Sequence, residues 1–216
     1  MREVYSMFPS EEMLTIEQPV QQPLLIVISG LSGVGKDAVV KGIQKRNAPF
    51  HFVVTANSRP KRPGEIEGVD YFFVTQDEFE RMIAEDELIE YALVYESYKG
   101  IPKAQVREAL HSGMDVMMRL DVQGAASVRA LSPDAILVFL LPATVEEWYE
   151  RLRNRGTESE EIMQLRLATA RKELERLHEF DYVVVNRHGH LDEAIDAIMA
   201  IVRAEHLRVH PRRIDL

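Results

Sequence analysis

The chain has 216 residues, 46% of them hydrophobic, 28% charged and none cysteine. That length supports one compact domain burying roughly 70% of its unfolded surface, and without cysteine no disulfide can staple it. A formal charge of −9 excludes a sequence-independent grip on nucleic acid, which needs many Lys and Arg contacts to phosphates; no apolar run reaches the ~18 to 20 residues of a membrane span.

Residues 1–22 carry Glu3, Glu11, Glu12 and Glu17 against Arg2 alone, with Pro9 and Pro19 and little periodicity. They are expected to form a tail of low order, unlike a signal or transit peptide, which makes the cytoplasm the expected location. The next segment, LLIVISGLSGVGKD at 24–37, runs a buried-strand pattern into a glycine-rich turn and then a helix pattern over 36–46. This is the layout of a phosphate-cradling P-loop. Gly30, Gly33 and Gly35 let successive backbone N–H groups, with those of Leu31, Ser32 and Val34, turn inward towards phosphate oxygens. The helix that follows aims its N–H groups and dipole at the same spot, and Lys36 adds a charge that can follow the β- and γ-phosphates. A nucleoside triphosphate such as ATP is the ligand this predicts. Asp37 stands where the pattern has a Ser or Thr hydroxyl for Mg²⁺. Its carboxylate either joins the inner or water-mediated shell of Mg²⁺ or simply suits a helix N-terminus.

Further along, the patterns predict strands over 51–55 and 71–74, and a helix over 76–85 opened by the capping-box spacing of Thr75 and Glu78. They continue with a strand over 88–94, a helix from Pro102 to about 112, a strand over 116–121 and a helix over 125–130. A strand over 135–141, helices over 144–154 and 159–178, a strand over 182–185 and a helix over 191–205 complete the series. Alternating strands and helices around a P-loop imply an α/β fold with a parallel sheet covered on both faces. The stretch from 58 to 94, richer in short strands, reads as a lobe inserted into that sheet.

Within the lobe, SRPKRPGE places Arg59 and Arg62 on a turn stiffened by Pro60 and Pro63, and Tyr71 can return from the next strand with a phenol donor. Alone this is a solvated basic hairpin; beside a P-loop, two guanidinium forks suggest a clamp for a second phosphorylated substrate. Glu90 sits in the otherwise apolar LIEYALVY, and a buried carboxylate needs a partner. Guanine offers adjacent N1–H and N2 donors, whereas adenine does not.

Taken in order, GLSGVGK, SRPKRPGEIEGVDYFFV, LIEYA, DVQGA, RLRNRGTES and FDYVVVN resemble the guanylate kinases over roughly residues 24–206. The resemblance implies a P-loop kinase fold with a domain over 23–206, its core at 23–55 and 103–206. It also implies a GMP-binding lobe over about 56–102, a mobile lid over about 151–165 and a C-terminal tail at 207–216. It implies transfer of the γ-phosphate of ATP to GMP, and to dGMP, in purine nucleotide metabolism with Mg²⁺, and no nucleic-acid or membrane partner. Arg59, Arg62, Glu65 and Tyr71 match the family's GMP-phosphate side, Thr55 and Glu90 its base-reading residues, and Asn186 a residue near the adenine. Arg151, Arg155 and Arg166 match lid arginines that close over the phosphates. Two departures stand out. Lys99 and Ile101 replace a tyrosine and a hydroxyl residue in the family's Y-G-[ST], so Lys99 supplies charge in place of a phenol and Ile101 cannot hydrogen-bond the base. Arg119 replaces the first acid of a D-x-D pair, leaving Asp121 as the carried-over acid for GMP and Mg²⁺. GKDAV, YKGIP and RLDVQGAA together resemble the plant-organelle branch of the family.

Rival readings are weaker on the residues. Asp121 to Gly124 has the D-x-x-G spacing of a GTPase, but Asn186-Arg187-His188-Gly189 fails the base-reading N-K-x-D. A non-catalytic guanylate-kinase-like binding module has no need of an intact glycine turn with Lys36, and a kinase acting on another phosphorylated acceptor gives no role to Glu90 and Thr55. The pairs His188 and His190, and His206 and His210, lack a surrounding acid or thiol ligand pattern.

Overall fold

The computed structural model describes residues 21–94, 96–154 and 160–216. Five parallel strands form the core sheet: β1 (Leu25–Gly30), β2 (Phe50–Phe52), β7 (Asp115–Arg119), β8 (Ile136–Leu141) and β9 (Tyr182–Val185), in the order β2-β7-β1-β8-β9. The helices are α1 (Lys36–Lys45), α2 (Gln76–Ala84), α3 (Lys103–His111), α4 (Val122–Leu131), α5 (Val145–Asn154), α6 (Glu160–Glu175) and α7 (Leu191–His206). Every residue of β1 is buried, as expected of a strand flanked by neighbours and covered on both faces. Ile26, Ile28 and Val138 pack with α1 and α7 on one face, and Leu25, Val27 and Leu137 pack with α3 and α4 on the other. The chain leaves β1 for β2 and β7 on one side and reaches β8 and β9 on the other, so the end of β1 is the switch point at which such sheets bind ligands. No helix among the described residues is long and apolar enough to cross a membrane.

The inserted lobe is a second sheet of mixed direction, with β3 (Ala56–Asn57), β4 (Phe72–Phe73), β5 (Leu88–Val94) and β6 (Ser97–Pro102) in the order β4-β3-β6-β5. Its small core joins Ala56, Phe79, Met82 and Leu88, and Phe79 stacks on Tyr98 at 5.2 Å between centroids. The α2 cap is as the spacing implies: Thr75 Oγ1 accepts from the Glu78 N–H at 3.2 Å.

Two differences from the sequence reading matter. β6 was not foreseen, because Gly100 and Pro102 speak for a turn, yet antiparallel pairing with β5 and β3 draws the segment into a strand. Residues 207–216, expected as a tail, fold back on the core. Ile214 and Leu216 pack against the cluster beneath α3 and α4. Arg212 makes two bonds, of 2.8 and 3.0 Å, to Glu205, a carboxylate only 2% exposed that also accepts from Tyr182 Oη at 2.5 Å. A charge so deeply buried is tenable only when paired and hydrogen-bonded in this way.

Candidate active site

The turn between β1 and α1 closes around its own lysine. Lys36 Nζ donates to the carbonyls of Gly30 and Leu31 at 2.6 and 3.1 Å, so the ammonium lies inside the loop at the N-terminus of α1. Gly35 adopts φ 98° and ψ 25°, a left-handed conformation natural to glycine, and a Cβ there would stand 2.6 Å from Asn186 Nδ2. Side chains from distant elements brace the outside of the loop. Trp148 Nε1 donates to the Ser32 carbonyl at 2.8 Å, and the Val34 carbonyl accepts from Arg151 Nη1 at 2.9 Å and Asn186 Nδ2 at 2.8 Å.

Two of the expected site residues make these contacts. Arg151, expected over the phosphates, donates to the Val34 and Asn186 carbonyls and pairs with Glu147. Asn186, expected beside the adenine, is buried and turned to the same Val34 carbonyl. Both residues shape the cradle from behind. Arg166 reaches the loop from α6 and donates to Ser32 Oγ at 2.8 Å. Arg155, with the rest of 155–159, lies outside the described residues.

A cavity of about 360 Å³ opens on the inner side of the loop, bordered by Lys36, Asp37, Arg119, Asp121 and Glu173. Glu173 was missed by the sequence reading. It lies two helical turns beyond Arg166 on α6, so the pair share one face, and that spacing is the signal that could have found it. Burial pushes its carboxyl up, opposed by the Lys36 charge and the nearby Ser32 N–H. Asp37, a candidate for Mg²⁺, pairs instead with Arg119.

Across the cleft, Arg59 is held in a fork. Its Nη1 and Nη2 donate to the two oxygens of Glu65 at 2.8 and 2.5 Å, and Glu65 also accepts from the Arg62 N–H at 2.8 Å. The Arg59 guanidinium, aided by that N–H, brings the Glu65 carboxyl down to about 2. Glu65 thus holds the Arg59 guanidinium in a fixed fork. Arg59 and Lys99 both lie over the Tyr71 ring, 5.2 and 5.9 Å from its centroid. Three of the four donors expected on the GMP phosphate are thus brought together, while the Arg62 side chain stays exposed. Thr55 and Tyr71 line a cavity of about 490 Å³ that Asp37 and Arg119 also border. Gln105 fixes the approach to Thr55 by bonding the Val54 N–H and carbonyl at 2.9 and 2.6 Å.

Glu90 lies elsewhere than a regular strand would place it. Leu88 pairs with Pro102 and Tyr91 with Gly100, so Ile89 and Glu90 together oppose Ile101. This β-bulge re-aims the side chain into a neighbouring cavity of about 470 Å³ that Asp121 and Gly124 border. Burial, and then the charge of Asp121, pushes the Glu90 carboxyl up to about 7. Asp121 caps α4 by accepting from the Gly124 N–H at 2.8 Å, and the missing Cβ of Gly124 leaves room 3.3 Å from Glu90 Oε2. Ile101 is buried in the core. The expected base-reading residues are therefore split: Thr55 sits with Tyr71, and Glu90 with Asp121.

A lysine-centred cradle at the switch point of a parallel sheet, facing an arginine clamp on an inserted lobe, places the molecule among the P-loop kinases. A family model described as "Guanylate kinase" matches residues 22–205. The chain is 49% identical to guanylate kinase 2, chloroplastic/mitochondrial, of Oryza sativa subsp. japonica, over 92% of this chain and 70% of that one. It is 39% identical to guanylate kinase of Oceanobacillus iheyensis, over 87% and 90%. A crystal structure of guanylate kinase from Anaplasma phagocytophilum superposes with a TM-score of 0.67 at 27% identity, covering 88% and 89% of the two chains. The chain belongs to the guanylate kinase family, enzymes that phosphorylate GMP to GDP with ATP.

Proposed function

We propose that ATP lies along the P-loop and GMP on the inserted lobe, so that the γ-phosphoryl group passes directly to GMP and ADP and GDP leave. The observation that carries this is the junction of the two cavities, one bordered by Lys36 and the other by Thr55 and Tyr71, which share a wall formed by Asp37 and Arg119. In this reading the loop N–H groups and Lys36 hold the β- and γ-phosphates, with Arg166 beside them and Arg155 completing the set. Arg59, Tyr71, Lys99 and the exposed Arg62 take the GMP phosphate, Glu65 orients Arg59, and Thr55 and Glu90 read the base from the separate cavities they line. Phosphoryl transfer needs in-line positioning and neutralisation of spreading charge more than acid–base help. The acceptor phosphate, with a second pKa of about 6, is already largely dianionic at neutral pH.

Mg²⁺ suits the donor set. Among the described residues no three carboxylate or imidazole groups gather into a cage, and Mg²⁺ commonly uses one or two carboxylates beside substrate phosphates. Asp121 and Glu173, which border the cradle, would hold the ion, and it would neutralise phosphate charge there. The cytoplasm is the proposed location and purine nucleotide metabolism the proposed setting; fractionation of expressing cells tests the first, since the rice relative's name refers to chloroplast and mitochondrion.

An ADP-release assay with ATP, Mg²⁺ and each of GMP, dGMP, AMP, CMP and UMP tests the reading. GMP is expected to exceed AMP in kcat/KM by ~10⁴-fold, because a buried carboxylate matched to two N–H donors is left unpaired by adenine. The Glu90→Gln variant is expected to lose most of that preference. Equal rates with AMP and GMP in the parent chain would remove the guanine assignment.

A further inference from the structure

Arg119 and Asp37 occupy a position that structural need does not explain. Arg119 ends β7 opposite Ile28 of β1, and the Leu120 N–H donates to the Ile28 carbonyl at 3.1 Å, so sheet register fixes the arginine beside the root of the P-loop. Asp37 lies in the first turn of α1. Their side chains pair although they remain 47% and 58% exposed, and an ion pair so open to water adds little stability. They border both the cradle cavity and the lobe cavity. A carboxylate alone in that place would repel both phosphorylated substrates; with Arg119 attached, its charge is cancelled and the wall between them offers guanidinium N–H donors.

We propose that Arg119 is a catalytic residue whose guanidinium contacts the oxygens of the phosphoryl group in flight, and that Asp37 is a positioning residue holding Arg119 at the transfer point. The inference rests on the placement of ATP and GMP given above. The guanidinium has five N–H donors, enough to keep Asp37 and bind phosphoryl oxygens with the rest. In the step it assists, a GMP phosphate oxygen forms a bond to the γ-phosphorus as the bond from that phosphorus to the oxygen bridging to the β-phosphate breaks. Arg119 keeps its protons throughout, since a guanidinium does not deprotonate in proteins. Charge spreads over the transferred group at that moment, and a cation fixed there by a carboxylate strut needs no reorganisation to meet it.

Steady-state kinetics and calorimetric ATP binding on the full chain test this. Arg119→Ala is expected to lower kcat ~10²-fold, in the range for loss of one fixed transition-state donor, with the KM of both nucleotides and the Kd of ATP changing less than ~3-fold. Added millimolar guanidinium is expected to restore at least ~10-fold of the lost kcat. Asp37→Ala is expected to cost ~10-fold in kcat, with no further loss when added to Arg119→Ala, as residues acting through one group are not additive. Turnover in Arg119→Ala within ~3-fold of the parent, or a loss that guanidinium does not rescue, overturns the proposal. Should the alanine variant fail to fold, Arg119→Lys keeps the charge and loses the fork; a ~10-fold fall in its kcat is expected, and parent-like turnover counts against the role. Lys36→Ala run in parallel separates the two claims. Loss there but not at Arg119 removes only this inference, whereas parent-level turnover in both removes the nucleotide placement beneath it.

Discussion

The two proposed phosphate sites are held by opposite means. The cradle is gripped from far along the chain, its Val34 carbonyl bonded by Arg151 and Asn186, 117 and 152 residues away, and its Ser32 carbonyl by the buried Trp148. The clamp on the lobe is built locally: Arg59 leans on Glu65, six residues on, across an exposed turn at 60–64. A site tied into the core can change little without cost to the fold. One assembled from a short loop can exchange parts more cheaply, yet departures from the family pattern occur at both sites: Asp37 and Arg119 at the cradle, Lys99 and Ile101 on the lobe.

The greatest loss of turnover should come from the cradle side. Lys36→Ala removes the charge at the centre of the loop, and kcat is expected to fall by ~10³-fold, in the range for lost electrostatic stabilisation of a transferred phosphoryl group. Its thermal midpoint, read by circular dichroism, is expected to stay near that of the parent, because the lysine serves the site and not the core. A similar loss of turnover with a collapsed melting curve would mean that the lysine holds the loop together.

Next in size is a pH effect confined to the lobe. Only the ionised Glu90 can accept two guanine N–H donors, and burial followed by the charge of Asp121 has raised this carboxyl to about 7 from an ordinary 4.5. GMP affinity should therefore rise as pH climbs through 7 and fall about tenfold per unit below it, while the KM for ATP shows no such slope. Glu90→Gln should leave only the titration of GMP itself, near pH ~6. For stability of the ligand-free chain the sign reverses. The folded state holds a proton that the unfolded state has released between 4.5 and about 7, so this group's contribution is lost as pH rises across that window.

The smallest effect concerns the bracing. Asn186→Ala leaves a buried carbonyl short of one donor and should cost about 1 to 3 kcal/mol, a fall of roughly 2 to 4 °C in Tm for each kcal/mol in a chain of this size. Its effect on KM for GMP should be within about twofold, since the residue touches only the cradle. A changed GMP affinity with an unchanged Tm would show that the two sites are less separate than their construction implies.

How far the sequence could be read follows the same division by range. The cradle was legible because its strand, glycines and lysine lie within 14 residues of one another, and the basic turn at 58–65 was legible for the same reason. The roles of Arg151 and Asn186 were not, since their partners are set by how α5 and β9 pack on the loop. Glu65 was recognised as a site residue but not as a strut, because the fork that defines it exists only once the turn has closed. β6 escaped because pairing overrode the turn preferences of Gly100 and Pro102, and with it went the bulge that aims Glu90. The pairing of Asp37 with Arg119, both departures from the family pattern, is hidden in the sequence too; strand register, not sequence spacing, brings them together.

End-to-end binding of two nucleotides by the cradle and the lobe can be probed with a single ligand joining adenosine to guanosine through a chain of phosphates. Calorimetry on the parent chain should find it bound at least ~10²-fold more tightly than ATP or GMP alone, with the gain lost in both Lys36→Ala and Arg59→Ala. Binding no tighter than that of ATP, or a gain that survives Arg59→Ala, would contradict the account.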